Sequence, residues 1–141
     1  MEFRGWVDDA EMARLYAGAR ALLFPGEEDF GIVPLEALAS GCPVVAYGRG
    51  GVLETVARGA DPAALDDVAT GGSAEVPGGV LFGTQTADGL TDALGRFDPA
   101  RFDPAALRAL AEPFAEEEFD RRFRATFERQ LAAFRAAIAA R

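Results

Sequence analysis

Three consecutive acids, Glu27, Glu28 and Asp29, sit inside the segment Pro25-Gly26-Glu27-Glu28-Asp29-Phe30-Gly31-Ile32-Val33-Pro34-Leu35-Glu36. They follow an apolar run, Ala21-Leu22-Leu23-Phe24, and precede a stretch that reads as helix over 32–40. Like charges this close repel within a Debye length, so the cluster calls for a reason. Two readings fit. The acids can cap the helix, with Glu36 an ordinary surface residue. Alternatively the helix start, with its unpaired N–H groups and positive dipole end, takes an anion such as a diphosphate on the amides of Gly31, Ile32 and Val33. Gly31 then lets the backbone approach the ligand closely. Glu36, about one turn in, is placed to accept hydrogen bonds from two neighbouring hydroxyls, as on a ribose, and Glu28 to do the same for a sugar. Composition alone leaves both readings open.

The composition narrows the remaining chemistry. All 14 basic residues are Arg; Lys and His are absent, and there is one Cys. Without His there is no His-based triad, His zinc ligand or imidazole switch. Without Lys there is no Walker A loop, Schiff base or Lys general base. The lone Cys42 excludes an intrachain disulfide or a Cys-rich metal site and suits a reducing compartment. Between Gly41 and Pro43 it reads as a small buried hydrophobe. Carboxylates must carry any acid/base work, and neither metal nor cofactor is expected. The net charge of −9 lies wholly in residues 1–111, because six acids and six Arg cancel in 112–141. That balance is wrong for nucleic acid or an anionic membrane surface. No apolar stretch approaches the ~20 residues of a membrane span, and no signal sequence opens the chain. A cytoplasmic protein is expected, with any membrane contact peripheral and made by other parts.

The elements that must hold the acidic turn alternate between apolar runs and amphipathic stretches. Phe3–Val7 predicts a short strand, and Asp8 with Glu11 has capping-box spacing for a helix with Met12, Leu15, Tyr16 and Ala19 on one face. Ala21–Phe24 predicts a buried parallel strand, with the helix over 32–40 ended by Gly41. Pro43–Tyr47 predicts the next strand, Gly48-Arg49-Gly50-Gly51 a tight turn, and Val52–Arg58 a short helix. Residues 59–78 read as a mobile loop. Val80–Phe82 predicts a last strand, Thr86 caps a helix over 87–96, and Asp103-Pro104 opens another. A final helix carries Phe119, Phe123, Phe127, Leu131, Phe134 and Ile138 as one apolar stripe; that stripe and Trp6 read as core or packing surface. Strand–helix alternation means an α/β parallel sheet, whose ligands sit at the carboxyl ends of the strands. The glycine turn lacks G-x-G-x-x-G spacing and the acid expected ~20 residues on, so it reads as a turn from which Arg49 can face an anion.

Glu28 and Glu36 stand with seven residues between them in E-D-F-G-I-V-P-L-E, followed by A-L-A-S-G-C-P-V-V-A. This resembles the E-x₇-E signature of the group 1 (family 4) glycosyltransferases, retaining enzymes of GT-B architecture. The likeness extends to F-R-G-W-V-D-D-A-E-M-A-R-L-Y-A-G-A-R-A-L-L-F-P before the motif, to G-R-G-G-V-L-E-T-V after it, and to G-G-V-L-F-G-T-Q-T-A-D-G-L-T-D-A-L-G-R-F, which is similar to one bacterial subgroup. The resemblance implies a nucleotide-sugar donor (UDP-, GDP- or ADP-sugar, leaning to the GDP-mannose type). Glu36 would bind the ribose hydroxyls. Glu28 would face the donor sugar near its reacting carbon, as nucleophile or electrostatic support, and the amides around Phe30, Gly31 and Ile32 would hold the sugar and distal phosphate. Asp29 replaces the family's frequent Gly, which bears on sugar specificity. Glu54 matches a position near the nucleotide, where a solvated helix residue is equally expected.

The same resemblance implies a partial Rossmann-like sheet over 1–111, the later half of a GT-B donor-binding domain, with a long helix over 112–141. The acceptor domain, the first donor-domain strands and the family's Arg/Lys phosphate clamp would lie upstream, leaving this chain inactive alone. The alternative is a non-catalytic nucleotide-sugar-binding or assembly module. In the usual strand order Ala21–Phe24 would then have an open edge, which invites pairing with another chain. The expected consequence is self-association, as in a homodimer, or re-pairing of the first strand. Light scattering checks this: a monodisperse monomer with an ordered sheet and no rearrangement of residues 3–7 would overturn it.

Overall fold

The computed structural model describes residues 1–139; the end of the expected last helix, Ala140 and Arg141, lies outside the described residues. The chain divides into two compact units, Met1–Ala111 and Glu112–Arg141. The first is built on a four-stranded sheet. Its strands are β1 (Leu22–Phe24), β2 (Val44–Tyr47), β3 (Ser73–Val76) and β4 (Gly79–Phe82), in the order β1-β2-β4-β3. β1, β2 and β4 run parallel, with Leu22 beside Val44 and Val44 beside Gly79. β3 is antiparallel to β4 and forms the far edge. This is the α/β architecture of part of a Rossmann-like sheet, and among the described residues β1 pairs on one side only.

The central strands are apolar at every position because both faces are covered. Val44, Ala46 and Leu81 face one cluster, with Ala37 and Leu38 of α2 (Ile32–Ala39), Val68 of α3 (Pro62–Ala69) and Leu107 of α5 (Pro104–Ala111). Val45, Tyr47, Val80 and Phe82 face the other, beneath Ala93 of α4 (Ala87–Arg96). Caps fix the helix starts. For α1 (Asp9–Gly18), the Asp8 carboxylate accepts from the Glu11 amide at 2.8 Å. Thr86 does the same from Gly89 at 3.1 Å for α4, and Asp103 from Ala106 at 3.1 Å for α5. Each such cap contributes roughly 1 kcal/mol.

Four expectations are corrected. Phe3–Val7 is not a strand: Gly5 adopts φ +62° and interrupts the extended run. Trp6 accordingly is 89% exposed rather than in the core. Residues 59–78 are not one loop but hold α3 and β3. Asp61 caps α3 by accepting from Ala63 at 2.9 Å, with Pro62 as first helical residue. Val52–Arg58 is a 3₁₀ turn, Gly51–Leu53, followed by further turns rather than a helix. There the Thr55 hydroxyl donates back to the Gly51 carbonyl at 2.9 Å, a local bond that competes with helix geometry.

The second unit opens with a 3₁₀ turn, Glu112–Phe114, and continues as α6 (Glu116–Ala139). Phe119, Phe123 and Phe127 stack in succession, with ring centroids 5.9 and 6.4 Å apart, and all three are exposed. No helix among the described residues is long and apolar enough to cross a membrane. Glu118 accepts from Arg121 and Arg122, each at 2.6 Å. These bonds, Arg121 foremost, pull its carboxyl down to about 2. A depressed carboxyl pKa contributes stability that is whole above the unfolded value, near 4.5, and is lost as pH falls through the folded one. The difference in α6 helicity between wild type and Glu118→Gln, followed by circular dichroism, should therefore be constant above about pH 5 and vanish between 4.5 and 2.

Candidate functional site

The carboxyl end of β1 delivers the chain into the acidic turn, and the carboxyl end of β2 delivers it into the glycine turn. The two turns lie against one another. The Gly51 amide donates to the Glu28 carbonyl at 2.7 Å, and Glu28 and Gly50 pair as an isolated parallel bridge. No side chain fits between them. A Cβ on Gly50 would overlap the Glu28 carbonyl oxygen, and one on Gly51 would overlap the carbonyl of Phe30. Gly50 also sits at φ +68°, in the left-handed region. The glycines of the tight turn thus serve as a seat for the backbone of the acidic turn.

The acids do not cap α2. Its cap residue is Gly31, at φ +80°, and makes no side-chain cap hydrogen bond, so none of the three acids occupies the cap position. Left-handed Gly31 turns the chain sharply between the acids and the helix, so the capping alternative fails on geometry. Ile32 and Val33 occupy the first turn, where amides have no intrahelical acceptor; Pro34 follows and brings no N–H. Glu27, Glu28, Asp29, Phe30, Gly31, Ile32 and Val33 together line an open concavity of about 620 Å³. Its wall combines carboxylates with the exposed apolar side chains of Phe30, Ile32 and Val33. Such a surface suits a ligand with hydroxyls to donate and an apolar ring face to pack.

Glu36 opens on a different hollow. It lies on the exposed face of α2, one turn after Ile32, and lines a concavity of about 260 Å³ with Asp9, Met12, Ala13, Tyr16, Ala39 and Ser40. Burial raises the Tyr16 hydroxyl above its ordinary range, and the Glu36 carboxylate beside it adds to the shift. Met12 and Tyr16 were expected only as packing residues of α1. The helical spacing that puts them on one face of α1 does not tell whether that face ends in core or at the rim of a hollow. Arg49 projects from the glycine turn, exposed, and lines neither concavity. Among the described residues it makes no ion pair, so its guanidinium is open to an anion. Glu54 caps the 3₁₀ turn, its amide donating to Gly51. Cys42 is buried as expected, and burial pushes its thiol up, away from nucleophilic use. The described residues hold no cluster of three or more potential metal ligands.

Known proteins share this segment. The family model described as "Glycosyl transferases group 1" matches residues 1–97. The glycogen synthase of Thermus thermophilus is 34% identical over 125 residues, which is 87% of this chain and 25% of the synthase. The human alpha-1,3/1,6-mannosyltransferase ALG2 is 42% identical over 53 residues, 38% of this chain and 13% of the human protein. An uncharacterized glycosyltransferase of Methanocaldococcus jannaschii, MJ1607, is 42% identical over 55 residues, covering 38% of this chain and 14% of that protein. The matched part is a quarter or less of each relative's length.

The seating of the acidic turn can be checked by filling the gap. Gly50→Ala adds both a left-handed strain and an overlap with the Glu28 carbonyl. It should destabilise the first unit by about 1–3 kcal/mol in urea unfolding. Arg49→Ala, next to it and exposed, should stay within about 0.5 kcal/mol of wild type.

Proposed function

The chain belongs to the group 1 glycosyltransferases, and from that premise we propose that it supplies the donor-binding part of a retaining transferase of GT-B type that acts in the cytoplasm. The observation that carries this reading is the uncapped start of α2 facing a carboxylate-lined concavity. The diphosphate of a nucleotide-sugar lies at the helix start, on the amides of Gly31, Ile32 and Val33, where the dipole favours negative charge. Glu28 faces the donor sugar near its reacting carbon. Its carboxylate accepts from sugar hydroxyls and stabilises the positive charge that develops at that carbon as the bond to phosphate breaks. Glu36 accepts hydrogen bonds from the two ribose hydroxyls, and Tyr16 borders the same hollow.

The acids on this surface repel a diphosphate, so cations must offset them. Arg49, beside the Gly50 that pairs with Glu28, is a candidate on this chain, and with no Lys available the rest of the clamp comes from another part of the enzyme. The donor is of the mannosyl type: mannosyltransferases are among the relatives that part of this chain resembles, and the late segment Gly78–Phe97 resembles one bacterial subgroup. The acceptor binds on a second domain of the enzyme, and the offsetting cations are side-chain groups rather than a metal ion.

The test is donor binding to the chain, read as a thermal shift with GDP-mannose and with UDP-glucose. Glu36→Gln removes the charge from two charge-assisted hydrogen bonds and should weaken binding about 10- to 100-fold, abolishing the shift. Glu28→Gln should leave the shift by the free nucleotide diphosphate intact while removing the further gain from the attached sugar. A wild-type shift in Glu36→Gln takes Glu36 out of the site.

A further inference from the structure

The loop after β4 reaches across the carboxyl end of β2 to the acidic turn. Thr84 Oγ1 donates to the Gly71 carbonyl at 3.0 Å, tying the loop to the turn that follows α3. Thr86 caps α4, and its own amide donates to the Thr84 carbonyl at 2.8 Å. Gly89, in the first turn of α4, leaves room for that carbonyl, since a Cβ there would overlap it. Residue 85 is therefore presented from a turn pinned on both sides. Its side chain spends its amide on one contact: Nε2 of Gln85 donates to the Pro25 carbonyl at 2.9 Å. Pro25 is the first residue after β1, where the acidic turn begins.

We infer that Gln85 is a positioning residue, the brace that holds the acidic turn, and with it the Glu28 carboxylate, on its Gly50–Gly51 seat. The turn has two anchors, and at each of them one of its own carbonyls accepts. At its middle the Glu28 carbonyl takes the Gly51 amide, and at its start the Pro25 carbonyl takes the Gln85 amide. Pro25 has no N–H of its own to add to this start. The three acids at and beside the Glu28 anchor are all exposed and repel one another, a force that lifts the turn away from the sheet unless it is held at both places. That Glu28 serves the donor sugar rests on the function proposed above; the bracing does not.

The experiment separates the two. Hydrogen exchange of the Gly51 amide reports how often the acidic turn leaves its seat, and no donor is needed. Gln85→Met keeps the length of the side chain and removes the donor. It should speed Gly51 exchange roughly two- to tenfold, the range expected for one lost hydrogen bond, with the core amides of Val45 and Leu81 unchanged. Gln85→Arg, whose Nε–H lies as many bonds from the backbone as the Gln amide, should restore the wild-type rate. Unchanged Gly51 exchange in Gln85→Met overturns the inference. So does an acceleration shared equally by Val45 and Leu81, which would mark general destabilisation, or a failure of Gln85→Arg to restore the rate. In a second arm, Gln85→Met should lower the extra binding that the sugar of GDP-mannose adds over GDP in the wild type but not in Glu28→Gln. Loss of the exchange effect counts against the brace; a normal exchange effect with no coupling to Glu28 counts against the assigned role of Glu28.

Discussion

The candidate site depends on a backbone contact that tolerates no side chain. Glu28 and Phe30 present their carbonyls to a turn whose two glycines, Gly50 and Gly51, leave just enough room for them. The Gly51 amide then satisfies the Glu28 carbonyl. This contact joins the loops that leave β1 and β2, and so fixes the acidic turn relative to the sheet by main-chain geometry. The arrangement explains how three adjacent carboxylates can be borne at all. Exposed to water, a pair of unit charges 4 Å apart interacts by only about 1 kcal/mol. That is comparable to one hydrogen bond, and main-chain bonds at the turn can match it. Were the same acids buried, the repulsion would be several times larger and the turn would not hold.

Much of the scaffold was legible because its signals are local. Asp8, Thr86 and Asp103 cap helices as their spacing to the following residues predicts, and the runs Ala21–Phe24 and Pro43–Tyr47 contain parallel strands; the second is buried as expected, whereas the first, at the sheet edge, is not, with Leu23 47% exposed. The main miss follows the same chemistry. Asp61-Pro62 opens α3 with the cap-plus-proline start that was recognised at Asp103-Pro104, but the Gly, Ala and Asp around it masked the pattern. Ser73–Val76 was unreadable for another reason. As an antiparallel edge strand it is buried only at its ends, which a short run cannot reveal. Phe3–Val7 reads as a strand by composition, yet positive-φ Gly5 breaks it, and among the described residues no strand pairs there.

At the site, residue types were readable and relations were not. Sequence spacing puts Glu28, Phe30, Gly31, Ile32 and Val33 on one stretch, and the structure gathers their surfaces into one concavity. It could not choose between acids that cap a helix and acids that face away from it. That choice rests on the left-handed conformation of Gly31, a property of one backbone dihedral. Nor could it say why the glycine turn has two successive glycines, because the reason is the carbonyls of a segment some twenty residues earlier.

The separation of Glu36 from the other acids limits what can occupy the surface. From Ile32 to Glu36 α2 advances about 6 Å at 1.5 Å per residue, and the two residues open on different hollows. A compact ligand, such as a free monosaccharide or a single phosphate, would engage one hollow and leave the other without purpose. An occupant that uses both must be elongated, with hydroxyls at each end and an anionic middle suited to the uncapped amides between them. That sequence of groups is the one a nucleotide-sugar presents, sugar, diphosphate and ribose in order. It also explains why the anionic middle is the weak point of this surface. The helix start supplies about half a positive charge, against two or more negative charges on a diphosphate and three carboxylates beside it. On the proposed reading, the absence of lysine therefore matters most at the phosphates.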